Sequence, residues 1–342
     1  MSDITKHTTP ATVAAIFAAY ESQERQHRPH LGASQIGHHC DRYLWYQFRW
    51  CESPDFDGRM LRLFDHGNWE ERRLVADLRA IGCTVYEVDT ETGRQINYSA
   101  LGGHFGCSLD AVALGVLEAP RTWHVVEFKT ASDKQFQTIK KSGVEEAKPQ
   151  HYAQMQAGMY LSGLSRALYL AVNKNTDDIH AERIKPDDAV GARLMKRAER
   201  VVFSDGPLDR VSDRPDWYQC RFCEMNRICH HGETPQVNCR TCLHSTPETD
   251  GTWSCARHRK TLTVDDQRAG CDQHLFIPAL IGEPIDAGGD WVAYQGKDGE
   301  YRNGQPGPRS YTSHEMRAAS IPLPLPDALE QARETFNARI VE

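Results

Sequence analysis

The chain has 342 residues, 39% of them hydrophobic, which suffices for a sizeable packed domain plus an appendage and excludes a disordered or fibrous protein. A formal net charge of −7 argues against a protein that coats nucleic acid through bulk positive charge, yet it is compatible with an enzyme that gathers acids around divalent cations. There is no run of about 18 apolar residues, and MSDITKHTTP lacks the charged start and apolar stretch of a signal peptide, so a soluble cytoplasmic protein is expected.

Thr9 and Pro10 read as the N-cap and first position of a helix over residues 11–28. A Gly- and His-rich segment leads to SQIGHHCDRYLWYQFRW, residues 34–50, whose aromatic and basic side chains are suited either to a core or to stacking on a single strand. From Arg59 to Ile81, Met60, Leu63, Phe64, Leu74, Leu78 and Ile81 recur at helical spacing, and Gly82 ends the pattern. TVYEV, INYSA, DAVALGVL and WHVVEFKT then read as short strands between turn residues. Helices are expected around Lys134 to Lys141 and Gln150 to Leu161, strands at ALYLAVN and IHAERI, and a further helix over 187–203. This order predicts an α/β fold with a mixed central β-sheet flanked by helices.

Composition changes near Pro215. From there to about residue 275 the chain is rich in Cys, His, Arg and Thr with little apolar periodicity, so metals rather than a hydrophobic core are expected to hold it. DWVAYQGKDGEYRNG reads as a hairpin, and a Pro-rich tail, IPLPLPD, with one short helix completes the chain. Three parts are therefore expected: a main domain over 1–232, a cysteine-rich module over 233–283, and a C-terminal hairpin and tail over 284–342.

Asp110 stands at the start of one strand, and Glu127 and Lys129 lie at i and i+2 on the next. Strand alternation puts Glu127 and Lys129 on one face, and a hairpin would bring Asp110 beside them. Two adjacent carboxylates repel unless a cation lies between them, and hard oxygen ligands suit Mg²⁺ or Mn²⁺. By itself an E-x-K on a strand is commonly a surface salt bridge.

The succession GHFGCSLD, strand, VVEFKT, PQHYAQMQAGMYLSG resembles the PD-(D/E)XK nuclease superfamily, in particular the family containing lambda exonuclease and the RecB-like exonucleases. The resemblance implies a restriction-endonuclease-like core, with Asp110 and Glu127 as metal ligands, Lys129 as the catalytic lysine and Gln154 as the helix glutamine beside them. The RecB-like form, Gln-x-x-x-Tyr, fits Gln156 and Tyr160 instead. It also implies an acid on an earlier helix, placed at Glu71 with Glu70 as its competitor.

Eleven cysteines are many for a reducing compartment, where thiols serve metals or catalysis more than disulfides. Cys220-x₂-Cys223-x₅-Cys229 supplies three thiolates, and Cys40 is the candidate fourth. This set resembles the CRISPR-associated four-cysteine exonucleases and the AddB-type nucleases, which implies a [4Fe-4S] cluster acting as a staple; zinc in the same cysteines is the alternative. Cys239-x₂-Cys242, Cys255 and Cys271 fit a zinc ribbon, with His244, His258 or His274 able to replace a cysteine. Arg240, Arg257, Arg259 and Lys260 would let that module touch nucleic acid, unless its zinc is purely structural. Cys51, Cys83 and Cys107 read as small core residues, Cys107 lying close to Asp110.

The reading that joins these signals is an Mg²⁺- or Mn²⁺-dependent DNA exonuclease in phage or bacterial recombination and repair, leaving a 5′-phosphate. Its partners would be single- or double-stranded DNA ends and a single-strand annealing or recombination protein. A CRISPR-adaptation nuclease, and a non-catalytic nucleic-acid-binding protein stapled by metals, are the competing readings.

Overall fold

A computed structural model describes residues 9–23, 27–53, 56–296, 299–305 and 307–320. The Pro-rich IPLPLPD stretch and the helix expected after it lie outside these residues.

Helix α1 (Ala11–Glu21) is followed by strand β1 (Leu31–Gly32), the short α2 (Ala33–Ile36), α3 (Asp41–Phe48) and the long α4 (Gly58–Ala80). Strands β2 (Thr84–Tyr86), β3 (Asn97–Ala100), β4 (Phe105–Ser108), β5 (Ala111–Leu114) and β6 (His124–Ala131) come next, then α5 (Asp133–Ala147) and α6 (Pro149–Ser162). They lead to β7 (Ala167–Asn173), β8 (Ile179–Ile184) and α7 (Asp188–Phe203). The remainder comprises α8 (Tyr218–Arg221), α9 (Asn226–His231), β9 (Ser245–Pro247), β10 (Trp253–Cys255), β11 (Lys260–Thr261) and α10 (Val264–Ala269). It closes with β12 (Pro284–Ala287), β13 (Trp291–Gly296), β14 (Gly299–Gly304), β15 (Ser310–Tyr311) and α11 (Ser313–Ser320). Among the described residues no helix is long and apolar enough to cross a membrane.

The described chain clusters into two compact units that alternate along the sequence. One takes the described residues of Met1–Arg28, Pro54–Tyr98 and Cys107–Met195; the other takes those of Pro29–Ser53, Ser99–Gly106 and Lys196–Glu342.

The first unit is an α/β layer built on a five-stranded sheet of order β2-β5-β6-β7-β8. Its strands pair antiparallel except β6 with β7, which run parallel. That parallel pair needs a crossover, and α5 and α6 supply it. Leu74, Val75 and Leu78 of α4 bury against Val126 and Phe128 of β6 and Leu168, Leu170 and Val172 of β7. Each such side chain contributes about 1.5–3 kcal/mol of burial. The mixed central sheet flanked by helices expected from the sequence is the one found.

Helix α1 stops at Glu21, well short of residue 28, because the polar run after Tyr20 offers no apolar face to bury. Its end is tied to α4: Glu21 accepts from the Gly58 amide at 2.6 Å, and Tyr20 donates to Asp65 at 3.2 Å. Gly58 must be glycine, since a Cβ there would sit 2.3 Å from the Phe17 carbonyl oxygen. Past α4, Gly82 turns the chain at φ +90, a left-handed conformation that glycine adopts without strain.

In the second unit, β9, β10 and β11 form an antiparallel meander, and the expected hairpin is β13 paired with β14, Gly296 facing Gly299. The cysteine-rich stretch is not held by cysteines alone, contrary to the sequence expectation. Trp253, Leu262, Leu275 and Phe276 are buried there, and Leu275 and Phe276 join a cluster with Val292, Tyr294, Tyr301 and Met316. Its apolar residues come from turns and two- or three-residue strands, too short to show a period. The aromatics of DRYLWYQFRW settle the other way: Trp45, Tyr46, Phe48 and Trp50 are buried and serve as core.

Candidate active site and cysteine clusters

The parallel pairing of β6 with β7 fixes Glu127 and Lys129 on the same side of β6, with Glu127 opposite Tyr169 and Lys129 opposite Ala171. The antiparallel pairing of β5 with β6 sets Ala111 against Val126, which brings Asp110 to the middle of β6. Asp110 Oδ2 accepts the Phe128 amide at 2.9 Å and lies 3.9 Å from Lys129 Nζ. Lys129 donates to Glu127 Oε1 and, at 3.0 Å, to the Phe128 carbonyl.

Glu127 is only 2% exposed, and burial, reinforced by the neighbouring acids, pushes its carboxyl up to about 8 despite the Lys129 ammonium. Burial opposes the charge on Lys129, but Glu127 and Asp110 outweigh it and hold the lysine protonated, above the ordinary lysine range. Glu71 of α4 belongs to the same group: burial and then the charge of Asp110 raise its carboxyl. A cleft of about 300 Å³ is lined by Glu70, Glu71, Lys129, Thr130 and Lys174 among others, and Asp110 and Glu127 lie behind Lys129, outside its lining. Glu70 lines the same cleft, with its buried Oε2 3.7 Å from Arg73 and without a hydrogen-bond partner among the described residues.

On the helix after the strands, the residues of the Gln-x-x-x-Tyr pattern are placed away from the acids' hydrogen bonds. Gln156 is buried and committed to the backbone, donating to the Lys185 carbonyl and accepting the Asp187 amide, both at 2.9 Å. Tyr160 is largely exposed. Gln154 is half-buried, one turn after His151 on α6. His151 itself was not singled out from the sequence, and PQHYAQ gives a lone histidine no distinguishing mark. Its Nδ1 lies 2.9 Å from the Tyr169 hydroxyl, and burial followed by the charges of Lys129 and Lys148 drives the imidazole down to about 3, so it is neutral. Cys107 lies near the acids as well; burial, then Glu127 and Asp110, keeps its thiol protonated, up to about 12.

In the second unit Cys40, Cys220, Cys223 and Cys229 line one small cavity of about 20 Å³. All four thiols are free. Burial, with smaller effects from its three companions, pushes the Cys223 thiol up to about 11. The loop bearing Cys40 is clamped by Arg197, which donates to the Ile36 and His38 carbonyls at 2.6 and 2.5 Å and to Asp41 at 2.6 Å.

Cys239, Cys242, Cys255 and Cys271 line a second cavity of about 250 Å³. Burial, then the other three thiols, raises Cys239 to about 12. His274 borders this cavity but is engaged: its Nε2 faces the Asn238 carbonyl at 3.0 Å and its Nδ1 the Ser313 hydroxyl at 2.8 Å. His244 differs, its Nε2 being buried without a hydrogen-bond partner among the described residues. Arg240, expected at a nucleic-acid surface, is instead buried, with its guanidinium 3.8 Å from the centre of the Trp50 ring. Arg257 pairs with Asp290, and Lys260 with Asp266 at 2.8 Å.

Among the described residues no three Cys, His, Asp or Glu side chains stand in a geometry that could hold a metal ion as they are placed. At the carboxylate site the reason is visible, since the Lys129 ammonium occupies the Glu127 oxygen that a cation would need. The donor chemistry fits nonetheless. Buried acids that raise one another call for added positive charge, and two sets of four free thiols suit soft metals.

No family model matches the sequence, and no curated protein matches it. Among solved structures, SSO0001 superposes with a TM-score of 0.39 at 16% identity, over 66% of this chain and 95% of that one. Two structures of LHK-Exo, an alkaline exonuclease from Laribacter hongkongensis, one in complex with dAMP, give a TM-score of 0.36 at 20% identity, over 55% of this chain and 90% of theirs. At such scores the chain paths agree only loosely, and the chemistry has to come from the site itself.

Proposed function

We propose that this chain is a metal-dependent deoxyribonuclease of the PD-(D/E)XK type that hydrolyses phosphodiester bonds at DNA ends, in phage or bacterial recombination and repair. The observation that carries the reading is the convergence of Asp110, Glu127 and Lys129 on neighbouring strands, with the charge of Asp110 felt at Glu71.

Glu71, Asp110 and Glu127 would hold Mg²⁺ or Mn²⁺. Such an ion supplies Lewis acidity and a water of lowered pKa. Lys129, kept protonated, is a donor and not a general base; it would hold the scissile phosphate or the attacking water by hydrogen bonding. His151, neutral and anchored on Tyr169, brings no second charge to the lysine's side. Gln154, one turn further along α6, is the remaining candidate for positioning. Cys40, Cys220, Cys223 and Cys229 would hold a [4Fe-4S] cluster that staples distant parts of the sequence, and Cys239, Cys242, Cys255 and Cys271 a structural zinc.

The test incubates purified protein with end-labelled single- and double-stranded DNA in Mg²⁺ or Mn²⁺, beside Lys129→Ala. Cleavage by the wild type alone supports the assignment. Equal products from both proteins remove it.

A further inference from the structure

Beside the four-cysteine cavity the chain exposes rings where a folded protein ordinarily hides them. Trp217, Tyr218 and Phe222 are 39%, 64% and 82% exposed, all within six residues. The Trp217 and Tyr218 rings lie 5.1 Å apart, and the Arg221 guanidinium sits 5.6 Å over Phe222. Apolar rings gathered on a surface mark an interaction site more often than chance exposure.

The segment is a built scaffold. The Cys220 and Arg221 amides both donate to the Trp217 carbonyl at 2.8 Å, and the Cys223 amide donates to the Cys220 carbonyl at 3.0 Å. The Asn226 side chain closes it by donating to the Pro215 and Cys220 carbonyls at 3.1 and 2.8 Å. Cys220 and Cys223, on either side of Arg221 and Phe222, are anchored at the cavity, so the rings point outward from a fixed base.

The chemistry of the segment selects its occupant. Residues 210–227 carry four arginines against three acids; Arg210 pairs with Asp213 at 3.5 Å, Arg214 with Asp216 at 2.8 Å and Arg227 with Glu233 at 3.9 Å, so the guanidinium that stands among the rings is that of Arg221. Val211 is the one exposed aliphatic side chain among these described residues. Exposed rings with the Arg221 guanidinium among them suit nucleobases and phosphates, because every base has a π-face and every nucleotide a charge. Tyr43 and His39 line the same cavity, the His38 ring lies 4.0 Å from each of them, and His39 is exposed.

We propose that Trp217, Tyr218 and Phe222, together with Arg221, form a stacking surface for a single-stranded segment of DNA. The inference rests on the nuclease reading for the identity of the polymer.

Binding is measured by fluorescence anisotropy on the full chain, with Ca²⁺ replacing Mg²⁺, using labelled oligo-dT and a blunt duplex of equal length. The variants are Phe222→Ala, Tyr218→Ala, the double variant and Phe222→Trp, each checked for unchanged iron and zinc content. Each alanine is expected to weaken oligo-dT binding about fivefold or more, the double variant further, with the duplex less affected and Phe222→Trp near wild type. An oligo-dT affinity unchanged in the double variant overturns the proposal. So does a wild-type dimer that the double variant converts to a monomer with oligo-dT affinity intact, since the surface would then join two copies. Hydrolysis is followed in parallel: ring-dependent binding without any cleavage keeps this inference and removes the nuclease reading, while normal cleavage with ring-independent binding does the reverse.

Discussion

Asp110 is hydrogen-bonded to the backbone of the strand whose side chains it serves: its Oδ2 accepts the amide of Phe128, the residue between Glu127 and Lys129, at 2.9 Å. A hydrogen bond to the main chain locates the carboxylate without using its second oxygen, which stays available to a cation. Asp110→Asn can keep the bond to Phe128 while removing the charge, whereas Asp110→Ala loses both. On the nuclease reading both variants lose cleavage by a factor on the order of 100 or more, and only the alanine also loses stability, by about 1–3 kcal/mol for an amide left unpaired. Parallel nuclease assays and thermal melts decide it; an asparagine variant that cuts at the wild-type rate would remove Asp110 from the metal site.

Glu127 makes the metal-free protein sensitive to pH in a defined window. Burial raises its carboxyl from 4.5 to about 8, so between those values the folded chain keeps a proton that the unfolded chain releases. The unfolded state then binds fewer protons, and stability falls as pH rises through the window. Glu127→Gln removes this slope. The wild type should therefore melt progressively lower than Glu127→Gln as pH goes from 5 to 8, and added Mg²⁺ should reverse the trend in the wild type alone. A melting difference that is flat across the window would show that Glu127 is not buried as described.

On the nuclease reading, the two glutamines of α6 separate structure from catalysis. Gln156→Ala removes the buried partner of the Asp187 amide and the Lys185 carbonyl, which belong to exposed residues, at a cost of about 0.5–1.5 kcal/mol per bond, while turnover of the surviving folded protein should change little. Gln154→Ala should do the opposite, lowering kcat with little change in melting temperature. Steady-state kinetics beside urea unfolding of both variants checks the pair, and a stable Gln156→Ala with depressed kcat would reverse the two roles.

What the sequence disclosed follows from where chemistry and periodicity coincide. Helix α4 and strands β5, β6 and β7 carry long apolar patterns, and Glu127 and Lys129 announce themselves because strand alternation lets two charges share a face. Strand β4 was invisible, since FGCS mixes a glycine with small residues and its partner β1 contributes only Leu31 and Gly32. His151 and the Tyr169 hydroxyl were equally hidden: they meet only through the pairing of β7 with β6 and the return of α6, contacts no local pattern encodes. Arg240 misleads for a related reason. An arginine in a Cys-rich loop looks solvated until the aromatic cage that receives it, drawn from residues far apart in sequence, is seen.

That cage supports the last prediction. Arg240 donates to Gln267 Oε1 at 2.9 Å, to the Phe48 carbonyl at 2.9 Å and to the Pro29 carbonyl at 2.8 Å, with its guanidinium 3.8 Å from the centre of the Trp50 ring and 4.6 Å from that of Trp253. No carboxylate is among these partners, and burial lowers its pKa well below the ordinary arginine range, so the cation is held by carbonyl dipoles and ring faces. Truncation to alanine would strand three acceptors and open a void, a loss of about 3–5 kcal/mol. Lysine cannot replace the planar fork and should fare nearly as badly. If the two cysteine sets hold zinc and a cluster as proposed, both variants should also release zinc more readily to a chelator, because Arg240 lies between Cys239 and Cys242, whereas Cys223→Ser should lose iron and leave the zinc in place. Urea denaturation with metal analysis tests all three, and an Arg240→Ala protein as stable and as zinc-retentive as the wild type would show that the cage is incidental to the fold.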